Sequence, residues 1–350
     1  MRKSPLNTLL VTGGCGFIGS QFVKLVLRER PHYRLINLDL LTYAGNLENL
    51  DGIEQAFDRD VYRLFRGDIA DADRVRQIAR DERVDAIVNF AAETHVDRSL
   101  LDSAPFLRTN VEGTRVLLET ASHVGIKRFL QVSTDEVYGS LEPPDPPFTE
   151  DHPLLPNSPY AASKAAADLL VRAYHKSYGV PALITRCGNN YGPHQFPEKF
   201  LPLFITNALE DQPLPLYGDG QQIRDWIHVE DHARALLEVF EEGRIGETYN
   251  VSAGGEQTNL HMAQWVLRLM DKPSSLLRYV TDRPGHDRRY GIDASKLRRE
   301  LGWQACISLD NGLQATIDWY REQRGWWERI KSGEYRNYYA RQYSARLSEQ

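Results

Sequence analysis

The stretch "TLLVTGGCGFIGS" (8–20) decides the fold of this chain. A short apolar run, typical of a buried strand, leads into a glycine-rich turn, and residues with helical spacing follow. The turn holds Gly14-x-Gly16-x-x-Gly19 and also Gly13-x-x-Gly16-x-x-Gly19. In this strand–turn–helix context the glycines let the backbone approach a pyrophosphate, and the helix N-terminus supplies N–H groups. The stretch therefore predicts a dinucleotide-binding fold.

The end of the second predicted strand supports the same interpretation. Asp39 stands there, about 20 residues beyond the glycines, where the fingerprint requires an acid. A carboxylate at this point accepts hydrogen bonds from a ribose diol and repels a 2′-phosphate, so NAD is predicted rather than NADP. The segments "GDI" (67–69) and "FAAET" (90–94) end the next two strands and are expected beside the adenine and the nicotinamide ribose.

The first half of the chain alternates short apolar runs with stretches of helical spacing. Such alternation predicts a Rossmann-type, doubly wound parallel sheet with helices on both faces. The predicted strands are 8–12, 33–39, 61–65, 85–92, 128–133 and 180–187. The predicted helices between them are Phe17–Arg30, Asp71–Glu82, Thr109–His123 and Tyr160–Tyr178.

The pattern loosens after Cys187 and predicts a smaller, interleaved C-terminal α/β substrate domain. Segments 192–202 and 216–226 are rich in turn residues, and a helix (230–242), a strand (247–251) and a helix (259–270) are expected after them. The predicted division is a Rossmann domain at 1–188, to which the chain returns around 224–252, a second domain at 189–330 and a tail at 331–350. The aromatic residues of 324–350 are expected to pack on their own domain, with a subunit contact as the alternative.

Composition bounds the function further. The chain has 350 residues, 41% of them hydrophobic, and a net charge of -6. This balance gives no electrostatic footprint for nucleic acid or an anionic membrane. Its 3 cysteines include no C-x-x-C pair, so neither a disulfide framework nor a metal site is predicted. Without a leader-like segment or an apolar run of membrane-spanning length, the expected location is the cytoplasm.

The segment "SPYAASKAAADLL" (158–170) carries Tyr160-x-x-x-Lys164. Residues four apart share one face of a helix, and an ammonium near a phenol lowers the phenol pKa and makes it a usable base. The pair follows a strand that ends in Ser133 and Thr134, whose hydroxyl is expected to bind the alcohol that Tyr160 deprotonates. Together these features predict hydride transfer at a secondary alcohol, in the arrangement of the extended short-chain dehydrogenases/reductases.

Two adjacent carboxylates, Asp135 and Glu136, follow that strand in "STDEVYG" (133–139). Side chains alternate faces along a strand, so both can face a ligand only where the strand has ended. At the carboxyl end of a central strand they would lie in the ligand-binding crevice. Hydride transfer alone needs no such pair. One neutral and one ionised carboxyl could remove a proton beside a new ketone and protonate a leaving hydroxyl, so that water is lost.

At this point the chain resembles the dTDP-glucose 4,6-dehydratases, from about residue 7 onward. The resemblance rests on "VTGGCGFIGS", "LTYAGNL" (41–47), "AAETHVDRS" (91–99), "STDEVYG", "NNYGPHQFPEK" (189–199), "PLYGDGQQIRDW" (215–226) and "DRPGHDRRY" (282–290). It implies a cytoplasmic, NAD-dependent enzyme that acts on dTDP-glucose. It also implies a homodimer formed by two helices of each subunit, here Ser103–His123 and Tyr160–Tyr178.

The resemblance implies a role for individual residues. Tyr160 would be the base for the 4-hydroxyl, Glu136 the base at C5 and Asp135 the acid at the 6-hydroxyl, with Thr134 and Lys164 beside them. The positions implied for NAD are Gly13, Gly16, Phe17, Ile18, Gly19, Asp39, Thr42, Asp68, Ile69, Ala91, Ala92, Thr109, Tyr160, Lys164 and Asn190. Those implied for the substrate are Thr94, Thr134, Asn189, Lys199, Arg224, Asn259, Arg283 and His286. The segments around Arg224 and Arg283 are expected to be loops, and Cys15 is expected to be a small buried residue where alanine is more usual.

Three alternatives stay open at this stage. A dehydratase for UDP-glucose would share the catalytic residues, although Glu93 and Arg98 favour the thymidine form by resemblance. A nucleotide-sugar epimerase predicts no acid pair at positions 135 and 136. A non-catalytic NAD-binding protein predicts loss of Tyr160 or Lys164, and both are present.

Overall fold

The structure, a computed structural model, describes residues 6–332 together with 337 and 339. Its framework is a parallel sheet of seven strands, with a three-stranded and a two-stranded sheet beside it. The strands are β1 (Thr8–Thr12), β2 (Arg34–Asp39), β3 (Tyr62–Arg66), β4 (Ala86–Asn89), β5 (Arg128–Thr134), β6 (Ala182–Cys187), β7 (Asn189–Tyr191), β8 (Leu214–Tyr217), β9 (Ile223–His228), β10 (Thr248–Val251), β11 (Glu256–Thr258) and β12 (Leu277–Val280).

The α-helices of the described residues alternate with the strands in the first half and cluster in the second. They are α1 (Phe17–Glu29), α2 (Ile53–Ala56), α3 (Ala72–Asp81), α4 (Val96–Leu101), α5 (Ala104–Phe106), α6 (Thr114–Val124), α7 (Pro159–Tyr178), α8 (Phe200–Leu209), α9 (Val229–Glu242), α10 (Asn259–Leu269), α11 (Ser295–Leu301), α12 (Leu309–Glu322) and α13 (Arg324–Ile330). A π-helical turn, Leu107–Gly113, joins α5 to α6, and 3₁₀ turns span Leu47–Leu50, Asp135–Tyr138 and Ser274–Leu276.

The seven-stranded sheet has the order β10-β6-β5-β4-β1-β2-β3, and all of its strand pairs are parallel. The prediction of a doubly wound parallel sheet is confirmed. The strand order reverses between β1 and β4, where such sheets open a crevice at their carboxyl edge.

The sheet is buried on both faces, as a continuous apolar strand predicts. Leu9 and Val11 of β1 point into one core with Phe22 of α1, whereas Leu10 points into the other core with Val116 of α6. Each helix layer therefore has its own apolar core, and the sheet between them is a rigid base for the residues at its carboxyl edge.

The second lobe is built around β7, β8, β9, β11 and β12. Its core centres on Trp327, which is fully buried, and on Tyr320. The first residues of the aromatic C-terminal segment thus pack on their own lobe, as predicted, and most of the predicted tail, 333–336, 338 and 340–350, lies outside the described residues.

Two predictions for this lobe were wrong. Residues 223–226 form the start of β9 rather than a loop, because they pair with β11 on one side and β7 on the other. The helix α8 begins at Phe200, inside the segment predicted as turns. Apolar residues of α8 such as Leu203 and Phe204 pack in the core of the lobe, and this burial outweighs the local turn composition.

The chain returns to the seven-stranded sheet after this excursion. α9 packs on α1 and β10 pairs with β6, from Thr248 opposite Ile184 to Val251 opposite Cys187. β9 belongs to the second lobe, so we propose that the return begins with α9 rather than around residue 224. With this change, we propose the division of the chain into a Rossmann domain, a substrate domain and a tail. In the part of the chain that the structure describes, no helix is long and apolar enough to span a membrane.

Candidate active site

A cleft runs along the carboxyl edge of the seven-stranded sheet and ends between the two lobes. Every position predicted to contact the cofactor lines it, together with the predicted catalytic residues and four of the predicted substrate residues, Thr134 being in both of these last sets. This lining comprises Gly13, Gly16, Phe17, Ile18, Gly19, Asp39, Thr42, Asp68, Ile69, Ala91, Ala92, Thr94, Thr109, Thr134, Asp135, Glu136, Tyr160, Lys164, Asn189, Asn190 and Lys199.

The glycine turn is shaped for close approach of a ligand backbone. Gly13 has a φ of 70°, and a Cβ atom there would lie 2.6 Å from the backbone nitrogen of Ala91. A Cβ atom on Gly19 would lie 2.2 Å from the carbonyl oxygen of Gly13. Gly16 caps α1 without a side-chain hydrogen bond, so the first N–H groups of the helix face the cleft. Gly13 and Gly19 thus leave no room for a side chain, and the helix end suits a pyrophosphate.

Asp39 ends β2 at the place predicted for the ribose-binding acid. Its carboxylate accepts the backbone N–H of Cys15 at 2.9 Å and that of Leu41 at 2.8 Å. Burial raises the pKa of Asp39, and these two hydrogen bonds oppose the shift. They fix the carboxylate beside the glycine turn. Cys15 itself is buried, as predicted.

The cleft also holds buried polar atoms without a hydrogen-bond partner among the described residues. Among the described residues, no hydrogen bond reaches Ser133 Oγ, Asp135 Oδ2, Glu136 Oε2 or Gln195 Oε1, although all four are buried. Buried polar atoms are nearly always paired in a working site. The glycine cradle, the acid at the end of β2 and these unpaired atoms fit an extended, hydroxyl-rich ligand such as NAD with a sugar beside it.

The catalytic turn begins where β5 ends. The Thr134 hydroxyl accepts the backbone N–H of Glu136 at 3.3 Å and donates to Asp135 Oδ1 at 3.2 Å. Thr134 thereby caps a short 3₁₀ turn, Asp135–Tyr138, which breaks the alternation of the strand. Both carboxylates consequently face the same cleft, as the sequence predicts.

The two acids differ in their surroundings. Asp135 is 2% exposed, and burial, Glu136 and Asp225 together hold its pKa well above the usual value, with Arg224 opposing. Burial also raises the pKa of Glu136, but Arg283, Arg224 and Lys199 oppose this shift. The arrangement favours a neutral Asp135 and an ionised Glu136, one to give a proton and one to take it.

Tyr160 and Lys164 lie on the face of α7 that covers the cleft. The Lys164 ammonium donates to the carbonyl of Val132 on β5 at 2.8 Å. Burial, with Glu136 and Cys187, raises the pKa of Tyr160 well above its usual value, and its hydrogen bond with Thr134 opposes this. The sequence predicted that Lys164 lowers the pKa of the Tyr160 phenol. Among the described residues this effect does not dominate, because the Lys164 ammonium is directed at the backbone of β5.

The remaining predicted substrate residues belong to the second lobe, beyond the acid pair. Arg224 is buried on β9, donates to the carbonyl of Asp287 at 3.0 Å and lies 4.2 Å from the ring centroid of Tyr290. Arg283 pairs with Asp97 at 3.4 Å.

Two further residues complete this group. His286 Nδ1 lies 2.6 Å from Asp282 Oδ1. Asn259 begins α10, and its backbone N–H donates to the carbonyl of Gln222 at 2.9 Å. The cations Arg224, Arg283 and Lys199 all lower the pKa of Glu136, so these three predicted substrate residues lie near the acid pair.

Comparison with known proteins agrees with this geometry. Residues 10–316 match the profile of the family described as GDP-mannose 4,6 dehydratase. A dTDP-glucose 4,6-dehydratase from Streptomyces niveus is 49% identical over 328 residues, which cover 93% of this chain and 96% of the relative. The chain belongs to the dTDP-glucose 4,6-dehydratase family.

Solved structures place the family within a wider group. The chain superposes on DesIV, a dTDP-glucose 4,6-dehydratase from Streptomyces venezuelae with NAD and TYD bound, with a TM-score of 0.89 and 50% identity; the match covers 93% of this chain and 100% of DesIV. It also superposes on a UDP-glucose 4-epimerase from Thermotoga maritima with a TM-score of 0.83 and 28% identity, over 91% of this chain and 99% of that one. The fold is thus common to dehydratases and epimerases, so the fold alone does not distinguish the two activities.

Several residues of this dehydratase-family site were missed by sequence reasoning. Asp225 is buried, and its charge helps to raise the pKa of Asp135. Tyr290 is buried against Arg224 and its hydroxyl donates to Asp287 at 2.5 Å. Tyr43 and Glu198 line the cofactor cleft. All four stand inside or beside motifs quoted above, but only tertiary contacts reveal what each touches.

Proposed function

We propose that this protein dehydrates dTDP-glucose to dTDP-4-keto-6-deoxyglucose in an NAD-dependent, redox-neutral reaction. One observation carries the proposal: Asp135 and Glu136 face the same cleft as Tyr160, with surroundings that favour one neutral and one ionised carboxyl. Alcohol oxidation alone needs a base. Loss of water from the neighbouring carbons needs a second base and an acid as well.

The glycine turn and Asp39 would hold NAD, which would supply the hydride acceptor for C4 of the glucose and the hydride donor for C6, and a positive charge that would favour an ionised phenol nearby. Thr134 binds the 4-hydroxyl, and Tyr160 takes its proton. Lys164, fixed by the Val132 carbonyl, orients the cofactor ribose next to Tyr160. The other cofactor positions named from the sequence hold the dinucleotide along the cleft.

The acid pair performs the elimination. The new ketone at C4 acidifies the proton on C5, and Glu136 removes it. Asp135 gives its proton to the 6-hydroxyl, and the C6–O bond breaks with the release of water. After reduction at C6, Glu136 returns a proton to C5 and is restored. Asp135 has lost one proton to the departing water and Tyr160 has gained one from the 4-hydroxyl, so exchange with solvent must reprotonate Asp135 and deprotonate Tyr160 before the next cycle.

The second lobe holds the nucleotide end of the substrate. A pyrophosphate carries charge that guanidinium groups bind in planar pairs of hydrogen bonds. Arg224 and Arg283 fill this role, with His286 and Asn259 beside them, while Lys199, Asn189 and Thr94 contact the sugar and its phosphate. Lys199 is already positioned, since its ammonium donates to the Thr94 carbonyl at 2.7 Å.

The test is incubation with dTDP-glucose, and in parallel with UDP-glucose, in heavy water. The expected result is a 4-keto-6-deoxy product with deuterium at C5, formed faster from dTDP-glucose. Faster conversion of UDP-glucose would change the proposed substrate to UDP-glucose but leave the proposed reaction unchanged. An epimerised sugar without C5 deuterium would overturn the proposal.

We further propose that the protein is a homodimer. The π-helical turn and α6 pack on α7, and apolar side chains remain exposed on this surface. Leu107 is 54% exposed and Leu169 is 57% exposed, with Leu101 of the adjacent α4 at 58%. Large apolar side chains left exposed on helices that pack together are typical of subunit contacts and support this proposal. Sedimentation of the full chain checks the proposal, and a monomer at micromolar concentration would contradict it.

A cytoplasmic location is part of the same proposal. Its support is the state of the three cysteines, which are free in the structure: Cys15 and Cys187 are buried and Cys306 is exposed. Free thiols suit a reducing compartment. Fractionation of cells that express the protein tests it.

A further inference from the structure

Two chain segments that line the cofactor cleft come from different lobes, and we call them its two banks. One bank is the segment from Thr42 to Gly45, after β2, and the other is the segment from Gln195 to Lys199, before α8. Side chains join the banks. The ring of Tyr43 meets that of Phe196 edge to face, with centroids 5.4 Å apart and an interplanar angle of 88°.

A charged group completes this connection. The Arg98 guanidinium lies 4.1 Å from the centroid of the Tyr43 ring, and its Nε and Nη2 atoms lie 3.0 Å and 2.9 Å from Glu198 Oε2. The Tyr43 hydroxyl hydrogen-bonds to Glu198 as well. We call Tyr43, Arg98 and Glu198 the Tyr43 bridge.

The Tyr43 bridge contains a carboxylate whose burial costs free energy. The Glu198 side chain is only 1% exposed, and burial raises its pKa while Arg98 and Lys199 oppose the shift. A buried ion pair is weak support for folding stability, because desolvation offsets the attraction. The contribution of the Arg98–Glu198 pair is therefore expected to lie in holding chain segments in position rather than in folding stability.

The bank that carries Tyr43 is held at its two ends by other contacts. Leu41 has a φ of 58°, and its N–H binds Asp39. At the other end, the N–H of Asn46 donates to the Cys15 carbonyl at 3.1 Å. Between these anchors, Tyr43 is the side chain that reaches across to the opposite bank.

We infer that the Tyr43 bridge ties the two banks of the cleft together over the bound dinucleotide and thereby sets how slowly NAD leaves. The inference rests on the proposed function, since it takes NAD as the ligand. None of the three residues is placed at the reacting carbons, so they are positioning residues. For NAD to leave, the Tyr43 ring must part from Phe196 and Arg98.

The test is the release rate of NAD from the holoenzyme. Protein loaded with isotopically labelled NAD is mixed with excess unlabelled NAD, and the bound label is followed with time. Tyr43→Ala removes both the ring contacts and the hydroxyl, and release is expected to rise about tenfold or more, in line with a desolvated cation–π contact. Tyr43→Phe keeps the ring and is expected to raise release only about twofold to fivefold, the effect of one lost hydrogen bond.

Two further variants separate a bridge from a general loosening of the fold. Tyr279→Ala is the matched control, since Tyr279 is a partly exposed tyrosine that does not line the cleft; its release rate should equal that of the wild type. The double variant Tyr43→Ala with Glu198→Gln should release NAD little faster than Tyr43→Ala alone, because both changes break one unit.

The outcomes are distinct. Release from Tyr43→Ala at the wild-type rate would overturn the inference, and so would fully additive effects in the double variant. If Tyr43→Ala does not fold, Tyr43→Phe and Arg98→Lys carry the test with the same expected direction. A wild-type protein that binds no NAD would instead overturn the proposed function.

Discussion

Asp135 and Glu136 are neighbours in the chain and are both buried, yet different charges dominate their surroundings. Asp225 and Glu136 raise the pKa of Asp135, whereas Arg283 and Lys199 lower that of Glu136 against the effect of burial. Thr134 makes this possible, because its cap on the 3₁₀ turn brings both carboxyls to one cleft. The proposed division of labour between acid and base thus follows from the surroundings rather than from the two side chains themselves.

Asp135→Asn removes the proposed acid but keeps its size. Oxidation at C4 and removal of the C5 proton should continue, while loss of water should slow by about 10²- to 10⁴-fold. The enzyme is then expected to stall with its cofactor reduced, which the near-ultraviolet absorbance of a single-turnover reaction would report. Asp151→Asn, at an exposed position, is the control. Normal turnover in Asp135→Asn, without reduced cofactor, would assign the acid elsewhere.

Glu136→Gln removes the proposed base at C5. Reduced cofactor should again accumulate, but substrate recovered from heavy water should carry no deuterium at C5. In Asp135→Asn, deuterium should still enter the substrate at C5. Comparison of the two variants therefore separates the base from the acid. Mass spectrometry of recovered substrate makes the measurement, and C5 exchange at the wild-type rate in Glu136→Gln would reverse the assigned roles.

Tyr160→Phe removes the phenol that takes the first proton. Because this step precedes the others, the variant should form neither reduced cofactor nor exchanged substrate, with turnover lowered by about 10²- to 10⁴-fold. Stopped-flow absorbance in the first turnover tests it, with Tyr279→Phe as the matched control. Unimpaired cofactor reduction would show that another group is the base.

His232 should make the fold sensitive to acid. It is fully buried, and burial lowers its pKa from 6.5 to about 3. The folded state therefore binds fewer protons than the unfolded state, so this stabilising contribution is complete above pH 6.5 and is lost as the pH falls toward 3. At pH 5 the loss is about 2 kcal/mol.

The measurement is the free energy of unfolding in urea at pH 7 and pH 5 for the wild type and His232→Gln. The difference between the two proteins should narrow at pH 5. His123→Gln, at an exposed position, should show no such change. An equal difference at both pH values would contradict the buried, neutral state of His232.

Local sequence predicted much of this fold and its chemistry. Strand–helix alternation and the glycine turn specified the parallel sheet, because each element buries its own apolar face. Arg224 was misplaced in a loop because its strand is short and its partners, β7 and β11, are distant in sequence. The roles of Asp225 and Glu198 could not be assigned from the sequence for the same reason. The effect of a buried charge depends on the groups that pack against it in the folded protein.

The late return of the chain to the seven-stranded sheet has a consequence for biosynthesis. The edge strand β10 pairs with β6 only after the intervening residues have been made, and its Asn250 accepts the Tyr138 hydroxyl at 2.8 Å, directly behind the catalytic turn. A nascent chain that has emerged only as far as β6 lacks both contacts. The first part of the second lobe, from β7 to β9, must therefore be synthesised before the catalytic turn can be fixed, and protein cut short before residue 248 should remain a substrate for chaperones and proteases.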